Sequence, residues 1–112
     1  MKIKEIADTY GIKYVEFPPD IINSICFNKE NACAIIEKLR DEVCPILGCD
    51  VYRLENGEVM EILVPDLIVD RDDNESYPDY LQRSCDAALK FVLDYPQYTN
   101  DLYFDFVIER FF

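Results

Sequence analysis

The run Asp70-Arg71-Asp72-Asp73-Asn74-Glu75 puts carboxylates at the first and third positions, and an amide at the fifth, of what would be a calcium-binding loop. The pattern fails where the ion needs it most. The sixth position is Glu75, where the tight turn requires glycine, and the twelfth is Leu81, where a bidentate glutamate must close the shell. Catalysis by paired carboxylates is the other chemistry such a cluster could do. The chain has no histidine, which removes the usual general base near neutral pH, the commonest metal ligand and every Ser-His or Cys-His nucleophilic scheme. Cys26, Cys33, Cys44, Cys49 and Cys85 are odd in number and contain no C-x-x-C pair. They read as reduced, buried small hydrophobes, with Cys44 and Cys49 at loop spacing around Pro45 and Gly48. No catalytic residue, cofactor or metal ion is expected.

What remains at the cluster is charge. The 112 residues carry 23 acidic and 11 basic side chains, a formal net charge of −12, with a pI near 4.2. Residues 1–48 hold eight acids and six bases, whereas residues 49–112 hold fifteen and five, so ten of the twelve net charges follow Gly48. The densest part is Asp66, Asp70, Asp72, Asp73, Glu75 and Asp79, relieved only by Arg71. Such a field disfavours nucleic acid and anionic membrane surfaces and favours a basic protein partner. These six carboxylates are the candidate binding residues, with Tyr52, Tyr77 and Tyr80 as aromatic anchors beside them. No apolar run reaches the length of a signal peptide core or a membrane span, so a cytoplasmic protein is expected.

The elements that must position this cluster follow from periodicity. At this length one domain is expected over residues 1–112. Ile3, Ile6, Ala7 and Tyr10 predict a short helix over 2–10, stopped by Gly11. Residues 12–17 are β-rich and end at Pro18-Pro19; Asp20 could cap a helical turn, and 24–27 could be extended. Asn28 is an N-cap for a helix over 29–43, with its apolar stripe on Ala32, Ile35, Ile36, Leu39 and Val43. A strand over 49–54, the type I′ turn signal Asn56-Gly57 and a return strand over 58–64 form a hairpin. Pro65 interrupts that strand, and a continuation through 67–69 must be an edge or a bulge.

A loop over 70–75 leads to Ser76, a second N-cap. The next helix stops before Pro96 and turns Tyr77, Tyr80, Leu81, Ser84, Cys85, Ala88, Leu89, Val92 and Leu93 inward. After a loop containing Gln97, Thr99 and Asn100, Leu102, Phe104, Phe106 and Ile108 form the core face of a last strand, with Asp105 and Glu109 facing solvent or a partner. The fold class is α+β: a mainly antiparallel sheet of four or so strands, two longer helices on one face and a short N-terminal helix.

Three segments carry a family resemblance. Glu37-Lys38-Leu39-Arg40 through Ile46-Leu47-Gly48-Cys49-Asp50-Val51-Tyr52-Arg53-Leu54-Glu55-Asn56-Gly57, then Tyr80-Leu81-Gln82-Arg83-Ser84-Cys85-Asp86-Ala87-Ala88-Leu89-Lys90-Phe91-Val92, then Leu102-Tyr103-Phe104-Asp105-Phe106-Val107-Ile108 resemble the immunity protein 40 family of bacterial polymorphic-toxin systems. The resemblance implies an intracellular, non-enzymatic protein that binds and neutralises a cognate toxin domain. An acidic inhibitor suits a basic toxin, because it covers the cationic surface and is steered to it. The rival from another class is a DNA-mimicking phage inhibitor of the anti-restriction or anti-CRISPR type; its carboxylates would be spread at phosphate spacing, and these are clustered. A C-terminal strand ending in Arg110-Phe111-Phe112 could lie at a sheet edge, leaving monomer and homodimer both open.

Overall fold

The computed structural model describes residues 3–16, 25–56, 58–96 and 101–109. Its elements are α1 (Ile3–Thr9), β1 (Val15–Glu16), β2 (Ile25–Cys26), α2 (Lys29–Asp41), β3 (Ile46–Glu55), β4 (Glu58–Ile68), α3 (Tyr77–Asp94) and β5 (Leu102–Ile108). The class is α+β as expected, with the strands divided between a three-stranded antiparallel sheet, β4-β3-β5, and a two-stranded ribbon, β1-β2. Phe27 and Phe104 exchange backbone hydrogen bonds of 2.9 and 2.7 Å and tie the ribbon to the outer edge of β5. The turn at Asp20, Gly57, the loop over 97–100 and residues Arg110–Phe112 lie outside the described residues.

Both long helices start as local chemistry dictates. The Asn28 side chain accepts from the Asn31 N–H, and the Ser76 side chain accepts from the Asp79 N–H. Their apolar faces pack on each other and on one face of the sheet. Val51 lies between Phe104 and Leu63, and Cys49 between Phe106 and Leu67, beneath Ile35, Ile36, Leu39, Cys85, Ala88 and Val92. Phe91, Tyr95 and Phe104 meet edge to face at 5.3 to 6.4 Å between ring centres. Leu93 departs from the expected inner face and is exposed, because the stripe through Tyr80, Ser84, Cys85, Ala88 and Val92 has turned past it by the last turn of α3.

Two further expectations change. Residues 46–48 belong to the strand and not to the loop expected before Cys49: β3 starts at Ile46, whose N–H donates to the buried Ser84 hydroxyl at 3.1 Å, while that hydroxyl donates to the Leu81 carbonyl. One serine inside α3 thus satisfies the first buried donor of the strand. Asp105 does not face solvent. It is 8% exposed, because the sheet's second face is partly covered by a smaller cluster in which Val15 and Tyr103 pack on Cys26, Tyr52 and Leu54.

The first two helices end in the same motif with different residues. In α1 the Ile12 N–H reaches the Ala7 carbonyl and the Gly11 N–H the Asp8 carbonyl; in α2 the Cys44 N–H reaches Leu39 and the Val43 N–H reaches Arg40. Both patterns are the paired Schellman bonds, which place one residue in the left-handed region. That residue is Gly11, φ 66°, in α1 and Val43, φ 57°, in α2. A β-branched residue there is strained by about 1–2 kcal/mol, whereas glycine loses about 0.5–1 kcal/mol more chain entropy on folding than alanine. Val43 is 48% exposed and forfeits little packing. Val43→Gly should therefore stabilise the fold by about 0.5–1 kcal/mol, seen as a thermal midpoint a few degrees higher.

Candidate functional site

The six carboxylates occupy the end of β4, the loop that follows it and the first turn of α3. Asp66, Asp70, Asp72, Asp73 and Asp79 are exposed. Glu75 is different: its side chain is 10% exposed and clasped by Arg83, whose Nε and Nη2 donate to its two oxygens at 2.7 Å. Arg83 Nη2 also donates to the Asp70 carbonyl, the Asp72 N–H to Glu75 Oε1, and Arg71 Nε to the Glu75 carbonyl. A planar guanidinium holding a carboxylate with both arms is the strongest geometry such a pair has. The loop is thereby closed on α3 with the carboxylates of Asp70, Asp72 and Asp73 left facing water, flanked by those of Asp66 on β4 and Asp79 on α3. No motif announced Glu75–Arg83, since eight residues and a helix start separate the partners; a lone arginine following six acids was the only hint.

Hydrogen bonds from Arg83 hold the Glu75 carboxyl well below the usual carboxylate range, to about 2. A carboxyl whose folded pKa is depressed contributes stability that is fully present above its unfolded value, near 4.5, and is lost as pH falls from there toward about 2. Urea unfolding of the wild type should weaken over that window more steeply than unfolding of Glu75→Gln. The gap between the two proteins should close at the acid end.

The three tyrosines do not sit alike. Tyr80 is 1% exposed, and its hydroxyl donates to the Val69 carbonyl at 2.7 Å, anchoring the chain just past β4. Tyr52 is buried in the smaller cluster on the far face of the sheet, away from α3. Tyr77 is half-buried with its hydroxyl on the Val43 carbonyl at 3.2 Å, its ring 5.8 Å from the Arg71 guanidinium, and burial followed by Glu109 pushes its pKa up to about 12. Tyr77 alone of the three keeps surface beside the carboxylates.

The exposed apolar surface lies elsewhere. Ile62, Val64 and Ile68 on β4 are 72%, 79% and 73% exposed. All five cysteines are free, and burial raises each thiol pKa, that of Cys26 to about 12. None is poised as a thiolate nucleophile. Among the described residues no group of three or more cysteine or carboxylate side chains is arranged to hold a metal ion, and no helix is long and apolar enough to cross a membrane.

Compared with known families, residues 11–108 match the family model described as Immunity protein 40. No curated protein and no solved structure matches the chain.

Proposed function

The chain belongs to the immunity protein 40 family, and from that premise we propose that it neutralises a cognate toxin domain in the cytoplasm by stoichiometric binding, without catalysis, through its acidic face. The observation that carries the acidic face is the exposure of Asp66, Asp70, Asp72, Asp73 and Asp79 along one stretch of chain whose loop is pinned to α3 by Glu75, Arg83 and Tyr80. A pre-ordered loop loses little conformational entropy when a partner docks, so its charges act at full strength on encounter. Toxins that hold phosphates are basic where they do so, and the carboxylates offer that surface a competing partner. Glu75, Tyr77 and Tyr80 shape the loop, and Tyr52 supports the neighbouring sheet.

The test is co-expression with the toxin domain encoded beside this chain's gene. Growth restored together with a co-purifying complex of fixed stoichiometry is expected. Continued toxicity with no complex would overturn the reading. If the chain instead blocks a DNA-binding enzyme in competition with duplex DNA, the mimic replaces it.

A further inference from the structure

The acidic loop offers only the half-buried Tyr77 as an apolar group, whereas specific interfaces are built around a larger apolar centre with a polar rim outside it. Tyr80 and Tyr52 are buried. The nearest candidates are on β4, which runs straight into the loop: Val69 follows its last residue and Asp70 comes next. Ile62 lies opposite Tyr52 and Ile68 opposite Gly48, which in turn lies opposite Val107. Tyr52 belongs to the cluster on the face away from α2 and α3, so Ile62, Ile68 and Val107, the last 49% exposed, share that second face. Val64 adds to them within the irregular stretch of β4 opposite Cys49 to Val51.

The identity of the occupant follows from charge. From Glu58 to Asp70 the chain carries no basic residue, and although Arg53 of β3 pairs with Glu61 at 3.5 Å, Glu58, Asp66 and Asp70 remain as exposed carboxylates along it. A second copy joined along this strand would set carboxylates against carboxylates, and Pro65 has no N–H for a new ladder. A partner with an apolar patch rimmed by lysine and arginine meets both features. We propose that Ile62, Val64 and Ile68, with Val107 beside them, form the apolar centre of the toxin-binding surface, continuous with the acidic loop. The inference rests on the immunity reading and adds that the partner's contact patch is apolar at its middle and basic at its edge. At roughly 3.3 Å per residue the strand spans about 35 Å, enough for one side of an interface of about 800 Å² per partner.

The test uses Ile62→Thr/Val64→Thr/Ile68→Thr, which keeps a β-branch at every position, against the toxin domain encoded beside this chain's gene. Because the three side chains are exposed, the variant should melt near the wild type. We expect its complex to dissociate at least tenfold faster, with an association rate and salt dependence close to wild type because every carboxylate is retained. Val64→Thr alone, the mildest change, serves if the triple variant is unstable, and should still speed dissociation measurably. Unchanged dissociation in a folded variant, while the wild type binds, would overturn the apolar centre and leave the immunity reading standing. Failure of the wild type to bind would overturn both. A wild type that sediments as a dimer, with the variant monomeric, would assign the stripe to a second copy and overturn the inference.

Discussion

Gly48→Ala should lower the stability of the free protein by about 1–3 kcal/mol, the range for forcing extra atoms into a packed interior. A Cβ on Gly48 would stand 2.6 Å from the Leu67 carbonyl oxygen and 3.6 Å from its carbon, and those are backbone atoms that no rotamer change can clear. Gly48 and Leu67 meet because β3 and β4 are out of step here: Cys49 pairs with Leu67 and Val51 with Leu63, so β4 spends three residues where β3 spends one. A bulge of this kind bends the strand and increases the local twist. Alanine's smaller entropy loss on folding, about 0.4–1 kcal/mol, offsets only part of the clash. For a chain of this length the midpoint should fall by roughly 4–8 °C per kcal/mol, read by thermal denaturation of the single variant. A wild-type midpoint would mean that the two strands separate at little cost at this bulge.

Gly48 also shows where a linear reading stops. After Pro45 a glycine reads as punctuation, and the residues ahead of Cys49 accordingly read as a loop; its actual reason is Leu67, nineteen residues away in sequence. Strand β3 likewise begins at Ile46 because Ser84 waits inside α3 to accept its N–H, a fact invisible in the segment itself. Where the cause is local the reading succeeds. Asn28 and Ser76 were legible as caps because capping is decided within three residues, and the hairpin was legible because Asn56, φ 54°, tolerates the left-handed conformation its turn requires. The helix stripes located the core for the same reason, Tyr80 included, but overran it at Val43 and Leu93, which are exposed at the ends of α2 and α3.

The candidate site follows the same division. Its acidity and position were plain, since charge counts need no fold. Which carboxylate is spent internally was not, because Asp72, Asp73 and Glu75 look equivalent until Arg83 folds back on one of them. Nor was it apparent that the apolar side chains of β4 would stay uncovered. Ile62, Val64 and Ile68 alternate like any strand facing a core, and only the placement of both long helices on the opposite face leaves them in water.

Reversing Asp70, Asp72 and Asp73 to lysine is the change expected to act most strongly on function. It moves the formal net charge from −12 to −6 and inverts the sign of the loop while sparing its frame. The bonds that close the loop use the Asp70 carbonyl, the Asp72 N–H and the Glu75 carboxylate, none of which the substitutions remove. The variant should therefore fold, with stability changed by no more than about 0.5 kcal/mol at each exposed position. Its association with a basic toxin domain should slow by about 10- to 10³-fold at low salt, the range over which steering acts. Added salt should slow the wild type steeply and the variant hardly at all, so the two rates should converge as the screening length shrinks toward about 3 Å near 1 M salt. Stopped-flow mixing across a salt series separates this from a loss of contact. A change in dissociation alone would place the acids within the interface without a steering role, and rates identical to wild type at every salt concentration would remove the loop from the binding surface altogether.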